Sequence, residues 1–119
     1  MIQEFEIVRK NMESMLKYSQ MEYAKFNKTK NIVYLQQAGE KLFNAIESYI
    51  QYKRKVNVDS FYELKNLATK SQKKLLYKGR ELHRFFYNGL NEYDIETAER
   101  KYLKLYKQLK NKTKKNPRG

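Results

Sequence analysis

Apolar side chains return every three or four residues along almost the whole chain. Phe5, Val8, Met12, Met15, Ser19 and Phe26 fall at helical spacing and predict a first amphipathic helix over residues 3–26. The stretch "FNKTKN" loosens that period without a glycine or proline, which predicts a short turn or a bend. Ile32, Leu35, Gly39, Leu42, Ile46 and Tyr49 form a second stripe that ends at "YKRKVNVDS", placing a second helix at about residues 29–54.

Ser60 followed by Glu63 fits a capping box, in which the serine accepts an orphan amide hydrogen and the glutamate reaches back to the cap. A third helix starts there. It either continues from Phe61 to Tyr87 or is divided by "ATKSQ" into a short helix and a long one, whose apolar line is Leu75, Gly79, Leu82 and Phe86. Asn88 and Gly89 supply a C-terminal stop, because glycine tolerates the left-handed conformation. Ile95, Ala98, Tyr102, Leu105 and Leu109 then alternate spacings of three and four, as a packed seam does. Acidic Glu92, Asp94 and Glu96 at its start are what a helix dipole favours. No alternating strand-like run intervenes, so the pattern predicts an all-α bundle of four principal helices, with one additional short helix if the third is divided.

The 119 residues suffice for one modest core, which sets a single domain over residues 1–111 and leaves 112–119 as a basic flexible tail. Lys and Arg number 26 against 13 Asp and Glu, a net charge of +13 that exceeds what solubility needs and suits an anionic partner, RNA or another nucleic acid among them. A lysine-rich background composition would give the same total. The bias is strongest from Arg100 to Gly119, with nine basic residues and no acidic one. Lys101, Lys104, Lys107 and Lys115 are the candidate nucleic-acid contacts there, although positive charge near a helix C-terminus is also locally favourable.

With no cysteine there is no disulfide framework and no zinc-thiolate cluster, and with one histidine a multi-histidine metal site would have to be shared between chains, so no metal or cofactor is expected. The N-terminus lacks an apolar signal segment and no run approaches a spanning length, which points to a cytoplasmic protein without a membrane partner. In that compartment the Asn-x-Thr triplets at Asn27 and Asn111 carry no meaning. Walker, dinucleotide-binding and nucleophile-elbow motifs are absent from the sequence. Eleven tyrosines and six phenylalanines are many for this length, and tyrosine joins apolar contact to a hydrogen bond at interfaces, so a homodimer is expected.

The single histidine lies in "ELHRFFYNGL". At about 100° per residue, Leu75, Gly79, Leu82 and Phe86 define the core face, while Lys73, Tyr77, Arg80, Arg84 and Tyr87 form a basic and aromatic stripe. His83 falls between the two. It reads either as a boundary histidine hydrogen-bonded to a tyrosine or backbone group, or as an acid–base group with Arg80 or Arg84 supplying positive charge. In the second helix, Glu40 could orient His83 from a facing position and Lys41 attract an anion, while solvated charges beside a packed stripe are the plainer reading. Gly39 most simply permits close helix approach. Glu40, Lys41, Lys73, Tyr77 and Tyr87 are thus the candidate ligand-binding residues.

Two segments, "QAGEKLFNAIESY" at residues 37–49 and "ELHRFFYNGL" at 81–90, resemble the PaREP1-type archaeal proteins and their relatives in the HEPN superfamily. The matched positions are Gln37, Ala38, Glu40 and Lys41, then Leu82, His83, Phe86, Tyr87 and Gly89, and the resemblance extends from about residue 28 to 111. It implies an up-and-down four-helix bundle that commonly dimerises. It also implies one of two roles: a metal-independent ribonuclease, or a noncatalytic partner of a minimal nucleotidyltransferase. Active members carry an arginine followed, after four to six residues, by a histidine. Here Arg80 has only Glu81 and Leu82 before His83, and the residue at the shorter spacing, Lys78, lies about 140° away on a regular helix. Phe85 also stands where the family pattern often has asparagine.

These departures favour a noncatalytic HEPN-like interaction module that associates with RNA or another anionic partner. The alternatives are a metal-independent endoribonuclease using His83 as acid and base with Arg80 or Arg84, and an adapter for a nucleotidyltransferase-like protein.

Overall fold

A computed structural model describes residues 2–58, 60–88 and 94–114. These residues form α1 (Ile2–Thr29), α2 (Ile32–Arg54), α3 (Phe61–Leu67), α4 (Lys70–Asn88) and α5 (Ile95–Lys114), with no strand among them. Most positions of the expected stripes are buried or half-buried, but Ile95, the first of the expected α5 seam, is exposed. Met12, Leu16 and Phe26 from α1, Leu35, Leu42 and Ile46 from α2, Leu75, Leu76 and Leu82 from α4, and Ala98, Leu105 and Leu109 from α5 share one core. The side chains of Phe5, Phe86 and Tyr87, and the whole of Gly89, Glu92 and Lys115, lie outside the described residues.

Local chemistry explains the breaks. In "FNKTKN" the chain turns at Lys30, whose φ of 59° is left-handed and whose amide donates to the Phe26 carbonyl. Asn31 then caps α2 by accepting from the Val33 amide at 3.1 Å. That Asn cap sets the start of α2 at Ile32, three residues later than the apolar period alone suggests. The far end of α2 closes with the Val56 amide on the Gln51 carbonyl and the Lys55 amide on the Tyr52 carbonyl, a Schellman arrangement built on a left-handed lysine. Ser60 caps α3 by accepting from Tyr62 and Glu63. The third apolar segment is divided at "ATKSQ", where Ala68 turns extended and Thr69 and Gln72 bond each other across the new N-terminus. Asp94 caps α5 through the Thr97 amide at 2.7 Å, and α5 runs on to Lys114, so the first residues expected as a tail are helical.

Consecutive long helices run antiparallel. Ser19 meets Ala38 between α1 and α2, Glu40 meets His83 between α2 and α4, and Tyr23 meets Glu99 between α1 and α5. The buried hydroxyl of Ser19 ties three helices: it lies 2.8 Å from the Ala38 carbonyl, to which it donates, and 2.7 Å from the Tyr102 hydroxyl. Burial pushes the Tyr102 hydroxyl well above the ordinary tyrosine range, so it stays protonated and able to donate.

Two glycines let α2 and α4 pack closely. A β-carbon at Gly79 would stand 2.9 Å from Phe43 Cδ1 and 3.0 Å from Ile46 Cδ1, while one at Gly39 would stand 3.3 Å from Leu82 Cβ. Gly39 thus serves packing, as the sequence suggested. Gly79→Ala gains helix propensity of about 1 kcal/mol but overpacks the contact by about 1–3 kcal/mol. A lowered urea midpoint is therefore expected for Gly79→Ala, with a smaller change for Gly39→Ala; a raised midpoint for Gly79→Ala would contradict such close packing.

Candidate functional site

The antiparallel α2–α4 contact sets the two helices in register, and that register brings Glu40 opposite His83. His83 Nδ1 lies 2.6 Å from Glu40 Oε1. An ionised carboxylate only accepts, so Nδ1 carries the proton and the tautomer is fixed by the neighbouring helix. The partner is a carboxylate rather than the tyrosine or backbone group of the plainer expectation. The His83 and Glu40 side chains remain 31% and 18% exposed, which leaves water to screen the pair and keeps its worth modest. Phe43, one turn along α2 from Glu40, packs against the imidazole with centroids 4.9 Å apart.

Two turns beyond Glu40, Glu47 shares the same side of α2. Burial pushes its carboxyl up to about 7, repulsion from Glu40 adds to the shift, and the positive form of His83 opposes it. Glu47 was not among the residues expected from the sequence; its seven-residue spacing from Glu40 was the available signal. Glu40, Glu47 and His83 do not make a metal-holding group, since no set of three or more such side chains among the described residues is placed to do so.

Arg80 is committed elsewhere. Its guanidinium lies 4.3 Å from the Phe61 ring centroid and 5.8 Å from that of Tyr62, both supplied by α3. Tyr77 meets Phe61 edge-on at 6.1 Å. Arg84 and Lys73 stand on the exposed side of α4, and Lys41 is half-buried about 100° round α2 from Glu40. The described catalytic and ligand candidates therefore separate into a Glu40–His83 pair, an Arg80–Tyr77 aromatic cluster on α3 and α4, and cations facing outward.

A basic concavity of about 400 Å³ lies on the opposite flank of α4, facing α5. Lys101 and Lys104, expected as nucleic-acid contacts, line it together with Arg100 and Lys78, and Glu81 is the one acidic residue among its lining. The same angular offset that carries Lys78 away from His83 points it at α5. Lys107 is exposed on α5 outside this concavity. No family model, curated protein or solved structure matches the chain.

Glu47 makes stability depend on pH. Its folded value of about 7 stands above the ordinary 4.5, so folding takes up a proton between those values. Its contribution is fully present below about 4.5 and is lost as pH rises through about 7. Thermal melts are expected to show Glu47→Gln equal to the parent chain at low pH and more stable at pH above 7; a stability difference that does not vary with pH would contradict the assignment.

Proposed function

We propose that this chain is a noncatalytic interaction module of HEPN-like type that binds RNA or a related polyanion through α5 and the facing flank of α4. The observation that carries the reading is the concavity lined by Lys78, Arg100, Lys101 and Lys104. Clustered cations release condensed counterions when they meet phosphates, which supplies affinity without base-specific contacts. The whole-chain charge of +13 adds long-range attraction of the same sign. Pairing of two copies fits the same picture, because a bound polyanion offsets the repulsion between two basic chains.

The short Glu40–His83 bond also favours a second reading, a metal-independent endoribonuclease, since an oriented imidazole is the usual form of a general base. That chemistry needs a cation converging on the same phosphate. Arg80, one turn before His83 on α4, stacks on Phe61 and Tyr62 instead, and Arg84 stands on the exposed side of the helix. The adapter role toward a nucleotidyltransferase-like partner has no comparable geometric support.

Titration of single-stranded RNA across a salt series in EDTA tests the preferred reading. The expected result is intact RNA, steeply salt-dependent binding, and a slope lowered by roughly 1.4 in the Lys101→Gln/Lys104→Gln chain, at roughly 0.7 for each phosphate no longer neutralised. Cleavage that disappears in folded His83→Ala would overturn the noncatalytic reading, and saturable binding to a protein partner with none to RNA would favour the adapter.

A further inference from the structure

A second concavity, a trough of about 1140 Å³, runs between the N-terminal half of α1 and the last turns of α5, with the end of α2 beneath it. Its two walls differ in charge. On α1, Arg9 is held by Glu6 at 2.9 Å and by Glu13 at 3.3 Å, and Lys17, which lines the same wall, offsets the negative charge those three leave over. The wall formed by α2 and α5 brings Lys53, Lys55, Lys110 and Lys112 with no acidic residue.

Tyrosine rings reach into the same trough. Tyr23 stacks on Tyr102 with centroids 5.3 Å apart, and Tyr102 stacks on Tyr106 at 5.9 Å. Tyr106, the last ring of this series, is half-buried and lines the trough. Across from it, Lys55 lies 4.1 Å over the ring of Tyr52, another lining residue. The trough therefore brings four lysines together on one wall with the ring of Tyr106 beside them, while Lys55 covers the ring of Tyr52.

An occupant must be extended, carry regularly spaced negative charge on one edge, and present flat apolar groups on another. A duplex keeps its base faces stacked inside and cannot lay one on Tyr106. An acidic amphipathic helix needs open apolar holes for its anchors, but the apolar side chains beneath the trough are nearly closed over: Met12, Leu16 and Tyr49 are only 5%, 6% and 7% exposed. A single strand with unpaired bases satisfies all three demands.

We infer that the α1–α5 trough binds a single-stranded polynucleotide, with phosphates along Lys53, Lys110 and Lys112 and a base stacked on Tyr106. The inference rests on the polyanion reading above and narrows it to strands whose bases are free. It also assigns a second contact surface, separate from the α4–α5 concavity.

Fluorescence anisotropy tests it with oligothymidylate of about twelve nucleotides, a length within the range of known single-strand sites, against a base-free strand of equal length and charge. The parent chain is expected to bind the base-bearing strand tighter by on the order of 10-fold, the scale of one base–aromatic stack. Tyr106→Leu should close that gap and Tyr106→Phe should keep it. Lys53→Gln/Lys112→Gln, changed at exposed positions, should weaken both strands together, and it serves as the readout if Tyr106→Leu does not fold. Equal binding of the two strands by the parent chain, or unchanged binding in the Lys53→Gln/Lys112→Gln chain, overturns the trough assignment. The broader reading still stands in that case if Lys101→Gln/Lys104→Gln lowers affinity. Absence of binding to either strand overturns both.

Discussion

How near α2 and α4 can approach depends on two positions without side chains, and most of the structure follows from that distance. At Gly79 the backbone of α4 comes close enough to Phe43 and Ile46 that a β-carbon would stand within about 3 Å of both. At Gly39 the backbone of α2 accepts Leu82 in the same way. Because both contacts lie on one antiparallel interface, they fix its register as well as its separation. That register sets Glu40 against His83 and lets Phe43 cover the imidazole. It also turns the opposite flank of α4, with Lys78, toward α5.

The polar groups inside this frame act mainly as positioning contacts. Ser19 joins the Ala38 carbonyl to the Tyr102 hydroxyl, so α1, α2 and α5 are tied at one level by groups that would be costly to bury singly. Tyr23 adds a hydrogen bond to Glu99 at 2.6 Å, with its hydroxyl pushed up to about 12 by burial and by that carboxylate. No buried side-chain oxygen or nitrogen among the described residues lacks a partner. The same ties that hold α5 in place stack Tyr102 and Tyr106 and so present an aromatic ring at the edge of the trough. The core and the trough are thus joined through the stacked Tyr102 and Tyr106, while the cations stand outside the core.

Periodicity made the long helices readable, because each buries one stripe and leaves the rest in water. Ser60 declared its cap by residue type, Asp94 was legible only as charge that favours a helix start, and the Glu40–His83 pair was accessible from two helix wheels facing each other. Contacts distant in sequence were not. Ser19 and Tyr102 are separated by 83 positions, and nothing in either local pattern selects the other. Arg80 looked available to His83 on a helix wheel, but α3 intercepts it with Phe61, and a wheel contains no third helix. Lys78 was set aside for facing away from His83, and that direction is what makes it part of the basic concavity. Lysines count toward net charge wherever they stand, so charge alone did not separate the two concavities from the rest of the surface.

Among the described residues no helix is long and apolar enough to cross a membrane, and cations of α5 line both concavities. On the proposed reading, a polyanion meets the chain along α5 while Glu40 and His83 hold the α2–α4 contact. A two-dimensional amide NMR titration with a single-stranded oligonucleotide separates those two surfaces in one experiment. The largest shifts are expected along α5 and at Lys78 and Glu81, with the amides of Glu40 and His83 little moved. Shifts concentrated around Glu40, Arg80 and His83, with α5 unchanged, would contradict that reading.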